Sequence, residues 1–289
     1  LNGFQLGILL FLLAAGLTLV FGIMDLVNLA HGSIYMVGAF FAATITLWTD
    51  SFIIGLLAAL PLTLVFGMVL EYVALRTLYA RGHMDQVLAT FGLILFFNEL
   101  VRIIWGPAGL AIPLPAFLDG TITLALGIVY PTYRAFIILV GIAVAIGLYW
   151  LVAKTRLGML IRAGASNRTM VSALGVNIQL LFTMVFGLGA MLAGLGGMLI
   201  APINQAQIGM GEDILILAFV VIVIGGIGSI RGAFIASIMI GIIDTMGRFL
   251  LPMFLGYTAG PAVAAMAIYL AMAGVLFFRP SGLFAAGRG

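Results

Sequence analysis

The sequence predicts an all-α fold, a polytopic transmembrane bundle of about eight or nine spans within a single domain, residues 1–289. Hydrophobic residues make up 64% of the chain and charged residues only 7%, whereas a soluble protein carries roughly a quarter charged residues. The mean hydropathy is +1.32, and the apolar residues form runs near the length of about 20 that crosses a bilayer. The chain contains no cysteine, which excludes disulfides and thiolate metal sites.

Nine apolar runs are predicted as spanning helices, because each is close to the length that crosses the hydrocarbon core. In chain order they are Leu6–Met24, Ala30–Trp48, Phe52–Leu75, Gln86–Trp105, Thr132–Val152, Gln179–Ala201, Ile214–Ser229, Ala233–Leu250 and Gly260–Phe278.

The N-terminal part, Leu1–Thr49, holds either two full crossings or one crossing and a re-entrant piece. A polar interruption, Asp25–Ser33, divides its apolar run, and non-helical backbone at membrane depth must be buried in protein or line a cavity. The segment Ala30–Phe40 also resembles Gly226–Phe234, since both contain Gly-Ser-Ile followed by Gly-Ala-Phe. An internal repeat, common among transporters, would explain this likeness. Chance similarity in a chain rich in Gly, Ala and Ile is the alternative.

The distribution of cations predicts the orientation in the membrane. Between Lys154 and Met170 there are four basic residues and no acid. Loops that carry Lys and Arg face the cytoplasm, whereas the connectors Gly106–Pro131 and Asn204–Asp213 carry acids and no cation and are placed outside. This assignment makes the C-terminus cytoplasmic. The predicted inner cations are Arg76, Arg81 and His83 in one loop, Lys154 to Arg168 in another, and Arg279 and Arg288 at the C-terminus.

Enzyme chemistry is not predicted, and no catalytic residue is assigned. Lys154 and Thr155 suggest a phosphate-binding loop, but Ala153 replaces the glycine that GxxxxGK[ST] requires. The two histidines, His31 and His83, lie far apart, and no HExxH or clustered-carboxylate pattern is present. The sequence therefore predicts no metal site and no cofactor.

Several segments, in order along nearly the whole chain, resemble the permease subunit of branched-chain amino acid ABC importers of the LivH type. The most specific are Asn-Leu-Ala-His-Gly within Val27–Gly32 and Gly-Gly-Ile-Gly-Ser at Gly225–Ser229. The other matching segments are Gly16–Gly22, Val87–Leu93, Leu100–Pro107, Thr155–Gly158, Ala173–Val176 and Arg279–Phe284.

This resemblance implies a multi-pass subunit of the bacterial inner membrane that forms half of an importer's translocation pore. The implied partners are two cytoplasmic ATPases, a second permease, expected to be a paralogue rather than a second copy, and an extracytoplasmic substrate-binding protein. ATP and Mg would be bound by the ATPases. Membrane lipid surrounds the chain, and no nucleic acid is implicated. Branched-chain amino acids are the first expected cargo, and urea or short amides remain alternatives.

The resemblance also implies an ATPase-coupling loop at residues 154–177. Its helix is predicted at Arg168–Leu174, with Asn167 or Ser166 as N-cap and Gly175 just past its end. Related loops often carry Glu-Ala-Ala, whereas this chain has Ala163–Ala165. The predicted ATPase contacts therefore shift to Arg162, Arg168, backbone groups and packing. The alternative is that the cations only orient the protein in the membrane.

Asn28, His31 and Ser33 are predicted to line the substrate pathway, because an amide, an imidazole and a hydroxyl can exchange hydrogen bonds with a zwitterion. Alternatively, His31 bonds a nearby carbonyl and fixes helix packing. A small-residue pattern predicts close helix approach; its members are Gly189, Ala193, Gly194 and Gly197.

Two charge pairs are predicted to be structural, because Glu99 and Arg102, like Asp244 and Arg248, have the spacing of neutralising helical pairs. Asp25 and Glu71 have no evident partner in sequence, and they are predicted either to face the pore or to lie at an interface. The rival function is an ion-coupled secondary transporter working alone, for small polar or amino acid substrates. It would need no ATPase, and a channel-like facilitator is a third alternative.

Overall fold

The structure, a computed structural model, describes residues 1–123, 127 and 129–284. These residues form ten α-helices and one short β-hairpin. The elements are α1 (Asn2–Met24), α2 (His31–Thr49), α3 (Phe52–Leu70), α4 (His83–Trp105), β1 (Thr121–Thr123), β2 (Val129–Pro131), α5 (Thr132–Lys154), α6 (Arg156–Ser166), α7 (Arg168–Ala173), α8 (Ile178–Asn204), α9 (Met210–Gly225) and α10 (Ile230–Phe278). A π-helical turn, Glu71–Leu75, and a 3-10 turn, Arg76–Leu78, continue α3.

Seven helices of the described chain are long and apolar enough to cross a membrane: α1 to α5, α8 and α10. The 49-residue α10 contains two of the predicted spans, and the non-helical Gly256 (φ 79°, ψ 165°) separates them. The remaining predicted span, Ile214–Ser229, overlaps α9. This helix has 16 residues and is shorter than the seven spanning helices. The all-α membrane fold is confirmed, and the small antiparallel hairpin was not predicted.

The centre of the bundle is formed by α1 and α8. Every residue of α1 from Gly7 to Val20 is buried, and α1 packs against α5, α8, α9 and α10. The helix α8 packs against α1, α2 and α3. A helix that is apolar all round belongs in the interior of a bundle, and α1 occupies such a position here.

Small residues allow α8 to approach its neighbours closely. A methyl group added at Gly189 would lie 2.9 Å from the carbonyl oxygen of Gly16 in α1, and one at Gly38 in α2 would lie 2.5 Å from the Cα of Gly194. Gly197 lies against the backbone of Tyr35, and Ala193 is fully buried. The backbones are therefore in direct contact, as small-residue spacing allows in membranes.

The interruption after α1 re-enters the bundle. Asp25 closes α1 with φ 54°, and its N–H donates to the carbonyl of Phe21 at 3.0 Å. The ring of His31 then lies beside Gly16, because a methyl at Gly16 would be 2.9 Å from His31 Nε2. Since Gly16 is two turns before the end of α1, the chain doubles back and α2 begins inside the protein.

The helix α9 begins against the first turn of α2. After α8, an isolated bridge pairs Ala206 with Leu110, and the chain then reaches α9. A methyl at Gly32 would lie 2.9 Å from the carbonyl carbon of Gly211. The N-termini of α2 and α9 therefore meet. Of the two segments of the suggested repeat, Ala30–Phe40 contains the start of α2 and Gly226–Phe234 contains the start of α10, and each follows a non-helical connection.

Most described cations lie at one end of the bundle, which we call the basic end. Asp25, at the end of α1, lines the same cavity as Arg162, Arg168 and Arg231. Arg134 lies at the other end, where it donates to Asn2 Oδ1 at 3.2 Å. Arg288 lies outside the described residues. Contacts with the cavity, with the start of α8 and with the segment after α1 place eight cations at the basic end: Arg76, Arg81, Lys154, Arg156, Arg162, Arg168, Arg231 and Arg279.

Candidate coupling surface and translocation pathway

The predicted coupling segment folds as two short capped helices. Thr155 Oγ1 accepts a hydrogen bond from the N–H of Gly158 at 3.1 Å and caps α6. Asn167 Oδ1 accepts from the N–H of Met170 at 2.9 Å and caps α7. Of the two N-cap candidates, Asn167 therefore occupies the position, and Ser166 is the last residue of α6. Gly175, with φ 86°, follows the C-cap of α7, where a left-handed residue ends a helix.

The helix α7 carries exposed apolar side chains. Met170 is 59% exposed and Leu174 is 77% exposed, whereas Val171 is buried and anchors the helix. Exposed large apolar side chains that are neighbours mark interaction sites more often than chance surface. These exposed side chains make α7 the candidate contact surface for a partner protein.

The two candidate coupling arginines differ in their contacts. Arg162 Nη1 donates to the carbonyl of Val152 and so ties α6 to the end of α5. Arg168 is exposed on α7. Within residues 1–123, 127 and 129–284, neither forms an ion pair. Arg168 can therefore offer its charge to a partner, while Arg162 also has a structural contact.

A cavity of about 1450 Å³ opens beside the coupling segment at the basic end. Its walls are the ends of α1 and α5, the helix α6, the turn between α9 and α10, and the segment after α10. Charged residues in its lining are Asp25, Arg162, Arg168 and Arg231.

Glu71 has partners that the sequence analysis did not identify. Its fully buried carboxylate accepts hydrogen bonds from Arg76 Nη2 at 3.2 Å, Tyr79 Oη at 2.8 Å and Thr183 Oγ1 at 2.7 Å. Arg76 also lies over the ring of Tyr72, 4.6 Å from its centroid. This group, the Glu71 cluster, joins the π-helical end of α3 to the first turns of α8.

The predicted pathway residues lie inside the subunit. Asn28 and His31 are fully buried, and Ser33 is nearly so. Among the described residues, the amide of Asn28 and both ring nitrogens of His31 have no hydrogen-bond partner. The buried positions and the contact of His31 with Gly16 are compatible with a pathway role and with support of helix packing, but the carbonyl hydrogen bond expected for the packing role is absent among the described residues. The pathway assignment stays a prediction.

Gln86 forms hydrogen bonds with the segment that joins α1 to α2, a contact that was not predicted from the sequence. Its Oε1 accepts from the N–H of Val27 at 3.2 Å, and its Nε2 donates to the carbonyls of Leu78 and Arg81, each at 3.3 Å. A lone amide at the start of an apolar run was the available signal, because a buried amide needs partners on both its oxygen and its nitrogen.

The other predicted charge pairs are present. Arg102 and Glu99 are 2.8 Å apart, and Arg248 and Asp244 are also 2.8 Å apart. Across the described part of the chain, no group of three or more His, Cys, Asp or Glu residues could hold a metal ion.

The chain is similar over most of its length to known permease proteins. The model of the family described as the permease component of branched-chain amino acid transport systems matches residues 1–279. A high-affinity branched-chain amino acid transport system permease protein, BraD of Pseudomonas aeruginosa, is 31% identical, covering 98% of this chain and 93% of the relative.

Two further relatives carry related names. The permease protein LivH of Escherichia coli K12 is 28% identical, over 85% of this chain and 83% of the relative. A probable branched-chain amino acid transport permease protein LivH of Methanocaldococcus jannaschii is 30% identical, over 82% of this chain and 76% of the relative. No solved structure matches the chain.

Proposed function

The chain belongs to the family of branched-chain amino acid ABC transport permeases, and we propose that it forms half of the translocation pore of an ATP-driven importer. It is a multi-pass membrane protein and the permease component of such a system, not its catalytic subunit. The family implies ATPase, binding-protein and second permease partners. We assign the ATPase contact to α6 and α7 and the inner side of the membrane to the basic end.

The observation that carries this assignment is the exposed, capped helix α7. Met170 and Leu174 supply an apolar contact surface, and Arg168 supplies a charge beside it. Buried Val171 anchors the helix to the bundle, and the Asn167 cap stabilises its first turn. A movement of α7 driven by an ATPase would reach α8 through the four residues, 174–177, that join the two helices.

The basic end supports the orientation. Eight described cations lie there, and positively charged loops face the cytoplasm. The segment after α10, which carries Arg279, lies at the same end, because the N–H of Leu283 donates to the carbonyl of Ile224 at 2.8 Å. The C-terminus is accordingly assigned to the cytoplasm.

The proposed cargo is a branched-chain amino acid, in keeping with the names of the relatives. The proposed pathway residues are Asn28, His31 and Ser33. Support comes from α2 and α9, which each begin after a non-helical connection and whose first turns meet at Gly32 and Gly211; interrupted helices are a feature of transporter substrate sites.

Affinity purification from native membranes tests the assembly. We expect two ATPase subunits, a second permease and an external binding protein to co-elute with the tagged chain. Co-expression of tagged and untagged copies separates a paralogue from a second copy, because only a homodimer retains the untagged copy. A lone protein that transports in proteoliposomes without ATP would instead support the ion-coupled alternative.

Charge reversal tests the coupling surface. Arg168→Glu is expected to lower transport-coupled ATP hydrolysis about tenfold, equivalent to about 1.4 kcal/mol, while membrane insertion is unchanged. Arg81→Glu is the matched control, because it makes the same change at the same end outside α6 and α7. Normal coupling in Arg168→Glu, or equal losses in both variants, would exclude the proposed role of Arg168.

A further inference from the structure

The cavity at the basic end lies between two peripheral helices. Tyr149 and Val152 line it from α5, and Leu276 lines it from the end of α10. The other faces of these helix ends carry exposed apolar side chains, among them Trp150 and Phe277. In a membrane such faces contact lipid, so the walls of this cavity belong to the lipid-facing layer of the protein.

The lining of the cavity is amphipathic. Leu19, Ile23 and Val223 form its apolar part. Arginines from three separate elements line it as well, whereas Asp25 supplies the acidic side chain. The arginines are Arg162 from α6, Arg168 from α7 and Arg231 from α10.

Arg231 is held across the gap between α10 and α5. Its Nη2 donates to the hydroxyl of Tyr149 at 3.3 Å, and its guanidinium lies 5.3 Å from the centroid of the Tyr149 ring. This contact leaves other guanidinium N–H groups able to donate, because arginine carries five.

We propose that this cavity binds an anionic phospholipid, with the phosphate bound by Arg231 and Arg162 and an acyl chain against the apolar lining. Guanidinium groups bind phosphate through paired charge-assisted hydrogen bonds. Basic pockets between helices at a membrane surface suit anionic headgroups. About 1450 Å³ is ample for a headgroup and part of a chain. Arg162 lies on α6, which is also assigned to the ATPase contact, so the substitutions that test lipid binding are made at Arg231 and Leu276, outside α6 and α7.

Native mass spectrometry of the purified full-length chain tests the proposal. The protein is titrated separately with phosphatidylglycerol and phosphatidylcholine, and the phosphatidylglycerol titration is repeated with inorganic phosphate present as a competitor. We expect phosphatidylglycerol to be retained at least fivefold more than phosphatidylcholine, with no competition from inorganic phosphate. Equal retention of the two lipids would overturn the proposal, and displacement by inorganic phosphate would show a free-anion site instead.

Two variants locate the bound lipid. Arg231→Gln is expected to reduce phosphatidylglycerol retention at least threefold, while Arg134→Gln, which removes a cation at the opposite end, leaves it unchanged. Leu276→Trp fills the cavity without altering charge and should also reduce retention. Size-exclusion chromatography selects folded protein before each titration. If neither Arg231→Gln nor Leu276→Trp differs from Arg134→Gln, the lipid is bound elsewhere and the assignment fails.

Discussion

Thr183 Oγ1 donates a hydrogen bond of 2.7 Å to the carboxylate of Glu71. The two residues come from different helices, since Glu71 follows α3 and Thr183 lies near the start of α8. Arg76 donates to both of them, to Thr183 Oγ1 at 2.8 Å and to Glu71 Oε2 at 3.2 Å. The end of α3 and the start of α8 are therefore joined by a partly buried, charged cluster.

Glu71→Gln is expected to destabilise the protein. The neutral amide weakens the interaction with Arg76, and its NH₂ cannot accept from Tyr79 or Thr183 as a carboxylate oxygen does. Hydrogen bonds to charged groups contribute about 1.5–3 kcal/mol, so we expect a loss of roughly that size. The measurement is the midpoint of thermal unfolding of the purified protein in detergent.

Glu99→Gln is the matched control for this prediction. It makes the same change in an ion pair whose side chains are 51% and 60% exposed, and exposed pairs contribute about 0.2–1 kcal/mol. Equal effects of the two substitutions would show that burial of Glu71 has no energetic consequence.

The contacts within the Glu71 cluster could not be predicted from the sequence. The hydropathy runs predicted the membrane helices, and local cap residues predicted the short helix at Arg168–Leu174. Glu71 and Arg76 are five residues apart, which does not place them together on an α-helix. The π-helical turn at Glu71–Leu75 changes that relation, because its hydrogen bonds run from i to i+5.

Contacts between segments that are far apart in the chain could not be predicted from the sequence either. Thr183 is 112 positions from Glu71, and the meeting of Gly32 with Gly211 depends on two separate chain breaks. Neither contact follows from local periodicity. The polar interruption at Asp25–Ser33 was predicted from the sequence. The position of His31 beside Gly16, two turns inside α1, was not, because it depends on how α1 and α2 pack together.

Gly189→Ala is expected to destabilise the contact between α1 and α8. The added methyl would lie 2.9 Å from the carbonyl oxygen of Gly16 and 3.1 Å from a methyl of Val20. Overpacking of this kind costs about 1–3 kcal/mol. Gly147→Ala in α5 is the control, because its methyl would meet no atom within 4 Å. Thermal unfolding of both variants checks this, and equal midpoints would contradict it.

His31→Ala separates the two roles considered for this residue. If His31 serves the pathway, we expect uptake per folded protein to fall roughly tenfold, about 1.4 kcal/mol, with a changed preference among substrates. If it only supports packing, stability falls and substrate preference is unchanged. His83→Ala, at the exposed start of α4, is the control. Competition assays in proteoliposomes containing the full importer measure the preference.

Gly282→Ala is expected to release the C-terminal segment from α9. The N–H groups of Leu283 and Phe284 donate to the carbonyls of Ile224 and Gly225 at 2.8 and 3.0 Å, and so satisfy the last turn of α9. Gly282 has φ 82°, and a methyl there would lie 2.6 Å from the backbone nitrogen of Gly226. An alanine in this conformation costs on the order of 1–3 kcal/mol.

Hydrogen exchange of the amides of Leu283 and Phe284 measures this release, because both lose protection when the segment leaves α9. The control is Gly274→Ala in α10, where an added methyl would meet no atom within 4 Å. Protection should fall in Gly282→Ala and stay unchanged in Gly274→Ala. If protection persists in Gly282→Ala, the segment tolerates a side chain at this position. In that case the close approach to Gly226 does not hold it in place.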